Sequence, residues 1–331
     1  MSGSTEQADD DNVVEVCASC GKAEVDEVKL KICTACRLVK YCSVECQKNH
    51  RPQHKKACKK RMAEIRDDRL FTQPEESYLG ECPICCLPLS LDMTKSRMMA
   101  CCSKRICMGC NYGNKQREIE QGLEQRCAFC REPVSFTQEE DRQREMNRAE
   151  ANDPVGLFQV GAKCSKEGDY EGSIQYLTKA AALGHADAHY LLSLLYREGL
   201  GVEMNEKKEV YHLEEAAIGG HPDARYNLGC NEARNERYER ATKHFIIAAK
   251  LGHNESLEGV KEGFADGYVS KEDYESALRG HQAAVDETKS EKRAAAYEFS
   301  NSARLWAEAS SVDERVHRLE ESRRLFFQSR R

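Results

Sequence analysis

The chain has 331 residues, 40 % hydrophobic and 32 % charged, enough for two or more folded domains under a heavily solvated surface. Its formal charge of −6 makes no general case for nucleic acid, and no apolar run approaches the roughly eighteen residues needed to span a membrane. Eighteen cysteines behind an N-terminus with no basic or apolar leader point away from a secreted disulfide scaffold. They point instead to the cytoplasm or nucleus, where clustered thiols stay reduced and bind metal.

The opening MSGSTEQADDDN is acidic and predicts a disordered tail over 1–14. Sixteen of the eighteen cysteines lie between Cys17 and Cys130. The first group runs Cys17/Cys20, Cys33/Cys36, Cys42/Cys46 and His54/Cys58. A CxxC turn aims two thiolates at one ion, and tetrahedral zinc takes four ligands at about 2.3 Å from sulfur. Eight ligands in four pairs therefore imply two zinc ions. Disulfides would leave His54 without a role, and a catalytic thiol needs one activated cysteine rather than eight paired ones. Lysine and arginine dominate from Lys48 to Arg69. They offset thiolate charge or form a solvated helix face. A nucleic-acid patch would call for interleaved aromatics, and Tyr41 is the only one close by.

The order CxxC, CxxC, YCSxxCQ, HKxxC resembles a MYND zinc finger over about 15–60. It is carried by Cys17, Cys20, Cys33, Cys36, Tyr41-Cys42-Ser43, Cys46-Gln47 and His54-Lys55 to Cys58. The resemblance implies Cys17, Cys20, Cys42 and Cys46 on one zinc, and Cys33, Cys36, His54 and Cys58 on the other. His50 competes with His54 if the segment is helical. The resemblance also implies binding of short proline-containing peptides. Gln47 and Ser43 match that surface, while Arg51 stands where the family has a tryptophan.

Residues 61–79 read as a charged, helix-prone linker. A second group follows: Cys82/Cys85, Cys101/Cys102, Cys107/Cys110 and Cys127/Cys130, again enough for two ions. Setting aside Cys86, Cys164 and Cys230 and adding His54 leaves sixteen donors, or four zinc ions. CPIC at the start and CAFCRE at the end resemble a RING-type finger over 80–135. The family's cross-brace implies Cys82, Cys85, Cys107 and Cys110 on a third ion, and Cys101, Cys102, Cys127 and Cys130 on a fourth. Cys101 and Cys102 are adjacent where the family separates its ligands, and Ala128 replaces a common proline. The resemblance further implies contact with a ubiquitin-conjugating enzyme through Ile84, Leu123 and Arg131, without a nucleophile of the finger's own. Neither module is large enough to fold on its apolar core alone, so the metals supply energy on the order of 10–16 kcal/mol per site. Complete donor sets leave no position for a reacting water, and HExxH is absent.

Residues 136–152 read as a helical linker. From Asp153 the pattern turns helical and periodic. KAAALGHADAHYLLSLLYREGLG, EEAAIGGHPDARYNLGCNEARN and IAAKLGHNESLEGVKEGFADG each join a helix end, a Gly-His turn and a new helix. Gly184, Gly220 and Gly252 recur at 36 and 32 residues, a solenoid period. The wording resembles Sel1-like repeats over 153–288, about four helix pairs. Ala181, Ala182, Ala216, Ala217, Ala248 and Ala249 would let helices approach. Leu191, Leu194, Leu195, Leu213, Leu228 and Tyr226 would fill the core. His185, His221 and His253 read as structural turn residues, and Cys164 and Cys230 as buried apolar thiols. Residues 289–331, with Trp306, read as a capping helix or tail.

The expected fold is two small zinc-stabilised cross-brace fingers followed by an all-α Sel1-like solenoid. The expected function is an intracellular adaptor for proteins or peptides. The finer expectation is a RING-type ubiquitin ligase that recruits a conjugating enzyme through the second finger and a client through the solenoid. The alternative is a non-catalytic scaffold with structural zinc. No membrane partner is expected.

Overall fold

The structure is a computed structural model that describes residues 15–25, 29–135 and 137–308, with side chains up to Phe299. The expected acidic tail, the chain beyond 308 and the side chain of Trp306 lie outside the described residues. Two compact units divide at Thr72.

The first unit is a small finger built on turns. A two-residue hairpin pairs β1 (Lys31–Ile32) with β2 (Lys40–Tyr41), antiparallel. Helix α1 (Val44–Phe71) follows at once, because Ser43 accepts a hydrogen bond from the Cys46 N–H at 3.1 Å and caps it. α1 runs unbroken past residue 60, where the sequence suggests that the finger gives way to a linker. Lys48, Lys55, Lys56, Lys59 and Lys60 project into solvent along it, a solvated face. Apart from Leu70 near the end of α1, the buried side chains are Cys17, Cys33, Cys36, Tyr41 and His54, so thiols dominate the core of the finger.

The second unit begins with another turn-built module. β3 (Ser96–Met99) and β4 (Lys104–Cys107) form an antiparallel hairpin leading into α2 (Met108–Glu120). Its core is Cys82, Leu89, Met99, Ile106, Cys107 and Cys127. Then come α3 (Gln138–Glu150), α4 (Pro154–Glu167), α5 (Tyr170–Ala182), α6 (Ala186–Glu198), α7 (Glu206–Ile218), α8 (Pro222–Arg234), α9 (Tyr238–Lys250), α10 (Asn254–Ala265) and α11 (Lys271–Glu287). α4/α5, α6/α7, α8/α9 and α10/α11 pack as hairpins, and each hairpin stacks on the next. This is the helical repeat array expected from the Gly-His period.

The turns explain the repeat. Gly184, Gly220 and Gly252 all have φ between +84° and +93°, a conformation that only glycine adopts without strain. The histidine after each glycine starts the next helix. The ring nitrogens of His221 and His253 accept from the N–H groups of Ala224 and Ser256, whereas His185 makes no such bond. His253 Nε2 lies 3.3 Å from Asp223 of the preceding turn, and His221 Nε2 lies 3.6 Å from Asp187. Each turn is thereby keyed to the one before it. Ala181, Ala216, Ala217, Ala248 and Ala249 are buried as expected, but Ala182 is exposed. Leu195, Leu213 and Leu228 are buried, and Leu191, Leu194 and Tyr226 are half-buried. Cys164 and Cys230 are half-buried too, rather than fully enclosed.

Tyr78 ties the second module to this array. Its hydroxyl donates to Asp187 at 2.5 Å, and its ring packs 4.8 Å from that of His221. The last helix, α12 (Glu291–Glu308), returns to pack on α2. Among the described residues no helix is long and apolar enough to cross a membrane.

Candidate metal centres

Four clusters gather the donors. Cys17, Cys20, Cys42 and Cys46 form one, and Cys33, Cys36, His54 and Cys58 a second. Cys82, Cys85, Cys107 and Cys110 form a third, and Cys101, Cys102, Cys127 and Cys130 a fourth. Within each, the donor atoms all lie within 4.8 Å of one another. His50 stays out: its Nδ1 lies 3.0 Å from the Tyr41 hydroxyl while its ring stacks on His54, whose Nε2 faces Cys36 Sγ at 3.2 Å. Cys86 is exposed and belongs to no cluster.

The spacings fit an ion and not a covalent link. Cys20–Cys42 and Cys42–Cys46 are 3.5 Å apart, Cys101–Cys130 3.4 Å, Cys85–Cys107 3.8 Å and Cys102–Cys127 4.0 Å. Sulfurs at 2.3 Å from a tetrahedral zinc would be separated by about 3.8 Å, whereas a disulfide needs about 2.05 Å. All eighteen cysteines are free.

One backbone device builds the knuckles. The N–H groups of Gly21, Arg37, Cys86 and Arg131 donate back to the carbonyls of Cys17, Cys33, Cys82 and Cys127. Each of these four residues directly follows the second cysteine of its pair, and each has φ between +53° and +73°. The chain then reverses, with bridges Val16↔Ala23, Glu81↔Pro88 and Arg126↔Pro133 closing three of the four knuckles. The adjacent Cys101 and Cys102 use another device. They occupy the tip of the β3–β4 hairpin, where Met99 O accepts from Ser103 N at 2.9 Å and the turn splays both thiols to one side.

The electrostatics call for a cation. In the first cluster Cys17 is drawn down to about 6; burial opposes this, and backbone N–H groups of Cys42, Cys20 and Ser19 outweigh it. Cys42 beside it is pushed up to about 12 by hydrogen bonds to Cys20 and Cys46. In the second, Cys33 falls to about 6 against burial, through the Cys36 N–H and the His54 ring. Cys58 rises to about 11 by burial and its bonds to Cys36 and Cys33. Cys85 falls to about 7 against burial, through the Leu87 N–H and the Arg293 guanidinium, and Cys102 rises to about 11, chiefly by burial. In each of the first two clusters one thiol is thus drawn toward ionisation while another is held protonated. A divalent cation at the centre removes that conflict and lets every thiol ionise. The donors, fifteen thiols and one imidazole, suit zinc.

The residues expected to meet a conjugating enzyme are at the surface of the second module. Ile84 is 42 % and Leu123 53 % exposed. Ile84, Ala128 and Arg131 border one shallow groove with Tyr112, Asn114 and Arg117. Arg131 is not free: Nη1 donates to Asn114 Oδ1 at 2.9 Å, and Nη2 pairs with Glu118 at 3.0 Å. Glu118 is fully buried and also accepts the Arg126 N–H. Sequence reasoning missed Glu118 and Asn114; their i, i+4 spacing on α2 is the signal that was available.

A family model described as MYND finger matches residues 17–58. No curated protein matches the chain. Among solved structures the chain is similar to a Sel1 repeat protein from Oxalobacter formigenes. The identity is 22 %, with 54 % of this chain and 72 % of that one covered, at a TM-score of 0.41. It is also similar to a protective antigen present in uropathogenic Escherichia coli strains and displaying an SLR fold. That identity is 21 %, with 53 % and 38 % covered, at a TM-score of 0.39. Residues 17–58 are therefore a MYND finger, a zinc-binding module. Among the described residues there are four Cys/His clusters that can hold zinc, followed by a helical repeat region.

Proposed function

We propose that this chain is an intracellular adaptor of cytoplasm or nucleus that joins proteins through its MYND finger and its repeat array. The sixteen clustered side chains are its zinc ligands. The observation that carries this reading is the completeness of the donor sets: four protein atoms per cluster leave no coordination position for a reacting water. The metals then serve folding, and function falls to surfaces. The finger takes short peptides beside Ser43 and Gln47, both exposed, with Arg51 giving that surface a charge where an aromatic wall is usual. The repeat array takes a protein client on its concave face.

A RING-type ubiquitin ligase is the finer reading, supported by exposed Ile84 in a groove shared with Ala128 and Arg131. The scaffold reading draws support from the tether of Arg131 to Glu118 and Asn114, which commits that guanidinium to its own module. Ubiquitin discharge from a panel of charged conjugating enzymes separates the two. Acceleration by the zinc-loaded full chain, lost in Ile84→Ala and in Arg131→Ala, establishes the ligase. No acceleration with any enzyme leaves the adaptor as a scaffold.

A further inference from the structure

The third cluster has a partner from the far end of the chain. α12 begins beside the Cys107–Cys110 knuckle. A Cβ placed on Gly109 would lie 3.0 Å from the backbone nitrogen of Arg293 and 3.1 Å from its Cα, so the two backbones meet at the limit of approach. From there Arg293 reaches into the other half of the cluster. Nη1 donates to Pro88 O at 2.6 Å and to Thr288 O at 2.7 Å. Nη2 donates to Leu87 O at 3.0 Å and to Cys85 Sγ at 3.4 Å. Further along, Phe299 packs 4.8 Å from Tyr112, and Lys95 sits over the Tyr297 ring at 5.4 Å. Ala296 is buried.

The CxxC pattern does not require a residue 208 positions away from Cys85. The chemistry supplies a reason. Four thiolates around a divalent ion leave net negative charge in a partly buried site. A guanidinium donating to one sulfur, and to the two carbonyls just after it, offsets that charge and fixes the knuckle. Without the ion nothing draws the four donors together, and the sulfur and carbonyls that the Arg293 fork spans lose the spacing the metal fixes.

We propose that Arg293 is a positioning residue for the third zinc site, and that zinc binding there and docking of α12 stabilise each other. The inference rests on the zinc reading of that cluster. By linkage the coupling is reciprocal: losing the ion loosens the helix, and losing the helix loosens the ion. α12 is then a metal-dependent strap. Its residues Lys292 and Ala295 border the same groove as Ile84 and Arg131, so the strap also shapes the surface that a partner meets.

The test uses the full chain. Zinc per chain, the rate of zinc transfer to a colorimetric chelator, and amide exchange over 291–299 are measured for wild type, Arg293→Ala, Arg293→Lys and Gly109→Ala. Gly113→Ala is the control, since a Cβ there meets open space. Arg293→Ala is expected to weaken retention of one zinc in four by roughly 10–100-fold, the usual scale for an outer-sphere partner, and to speed exchange over 291–299. Arg293→Lys keeps the charge but not the fork and falls between. Gly109→Ala, with every ligand intact, shifts both readouts in the same direction. Should Arg293→Ala and Gly109→Ala speed exchange without altering zinc retention, the coupling is refuted and α12 is merely packed. Unchanged values in both readouts refute it as well. Wild-type protein lacking the third zinc overturns the zinc reading itself, a result distinct from the other two.

Discussion

The same substitution should have opposite signs at two helical glycines. Gly156 lies in α4, buried, where an added Cβ would sit 2.6 Å from the Arg148 Cβ and 2.9 Å from both the Arg148 carbonyl carbon and the Ala149 nitrogen. Two of those three atoms are backbone of α3 and cannot rotate away. Gly113 lies in α2 with nothing within 4 Å of such a Cβ. Alanine is favoured over glycine in either helix by about 1 kcal/mol. At Gly113 that gain stands alone, so Gly113→Ala should stabilise α2 by roughly 0.5–1 kcal/mol. At Gly156 overpacking costs about 1–3 kcal/mol, and a clash with immobile backbone belongs at the upper end, leaving a net loss of about 2 kcal/mol. Amide exchange of α3 and α4 reads this locally, without assuming that a multi-module chain unfolds in one step. A loss of 2 kcal/mol is roughly thirty-fold in protection. Unchanged or stronger protection in Gly156→Ala would mean that α3 and α4 do not approach this closely, and the account of their packing would fall.

Acid should loosen the repeats, which neutral pH leaves at full stability. Burial holds His212 at about 4 and His244 at about 3, both below the ordinary 6.5. The unfolded chain takes up protons first, so the stability is full above about 6.5 and is lost as pH falls toward the folded values. At pH 5 the penalty for fully buried His244 is about 2 kcal/mol, read as faster intrinsic-rate-corrected exchange in α9, and His244→Gln should shrink the pH difference. Metal analysis should return four zinc per chain from the wild type and from Cys86→Gly, but three from Cys85→Gly. Cys86→Gly should also relieve about 1 kcal/mol of left-handed strain. Leu192→Ala, at a site 1 % exposed in α6 against α4 and α5, should cost about 2–5 kcal/mol in amide-exchange protection of α6, against less than about 0.5 kcal/mol for exposed Leu183→Ala.

The clusters were legible because a CxxC turn writes two ligands into four adjacent positions. Which pairs share an ion was not, since that depends on how α1 and α2 fold back, and only a resemblance suggested the pairing. The adjacent Cys101-Cys102 pair departs from the family's spacing, and only the β3–β4 hairpin shows how both thiols reach one site. The periodic alanines and Gly-His turns located the repeats, yet Leu192, fully buried, was passed over for Leu191 and Leu194, which are half-buried. A one-residue error on a helix is a 100° rotation, and composition alone does not fix the phase. Arg293 was invisible for a different reason: its partners are set by tertiary return of the chain, with no local pattern to announce them.

The residue that follows each knuckle's second cysteine has a wider consequence. Gly21, Arg37, Cys86 and Arg131 share one backbone conformation, while their side chains range from none to a thiol to a guanidinium. The metal site asks this position for a φ angle and leaves its side chain unassigned. That makes it a place where recognition can change while folding does not. At one knuckle the position is spent on a bare turn, at another on a tether to Glu118. A finger built this way can acquire a new specificity one residue from a metal ligand without disturbing the coordination sphere.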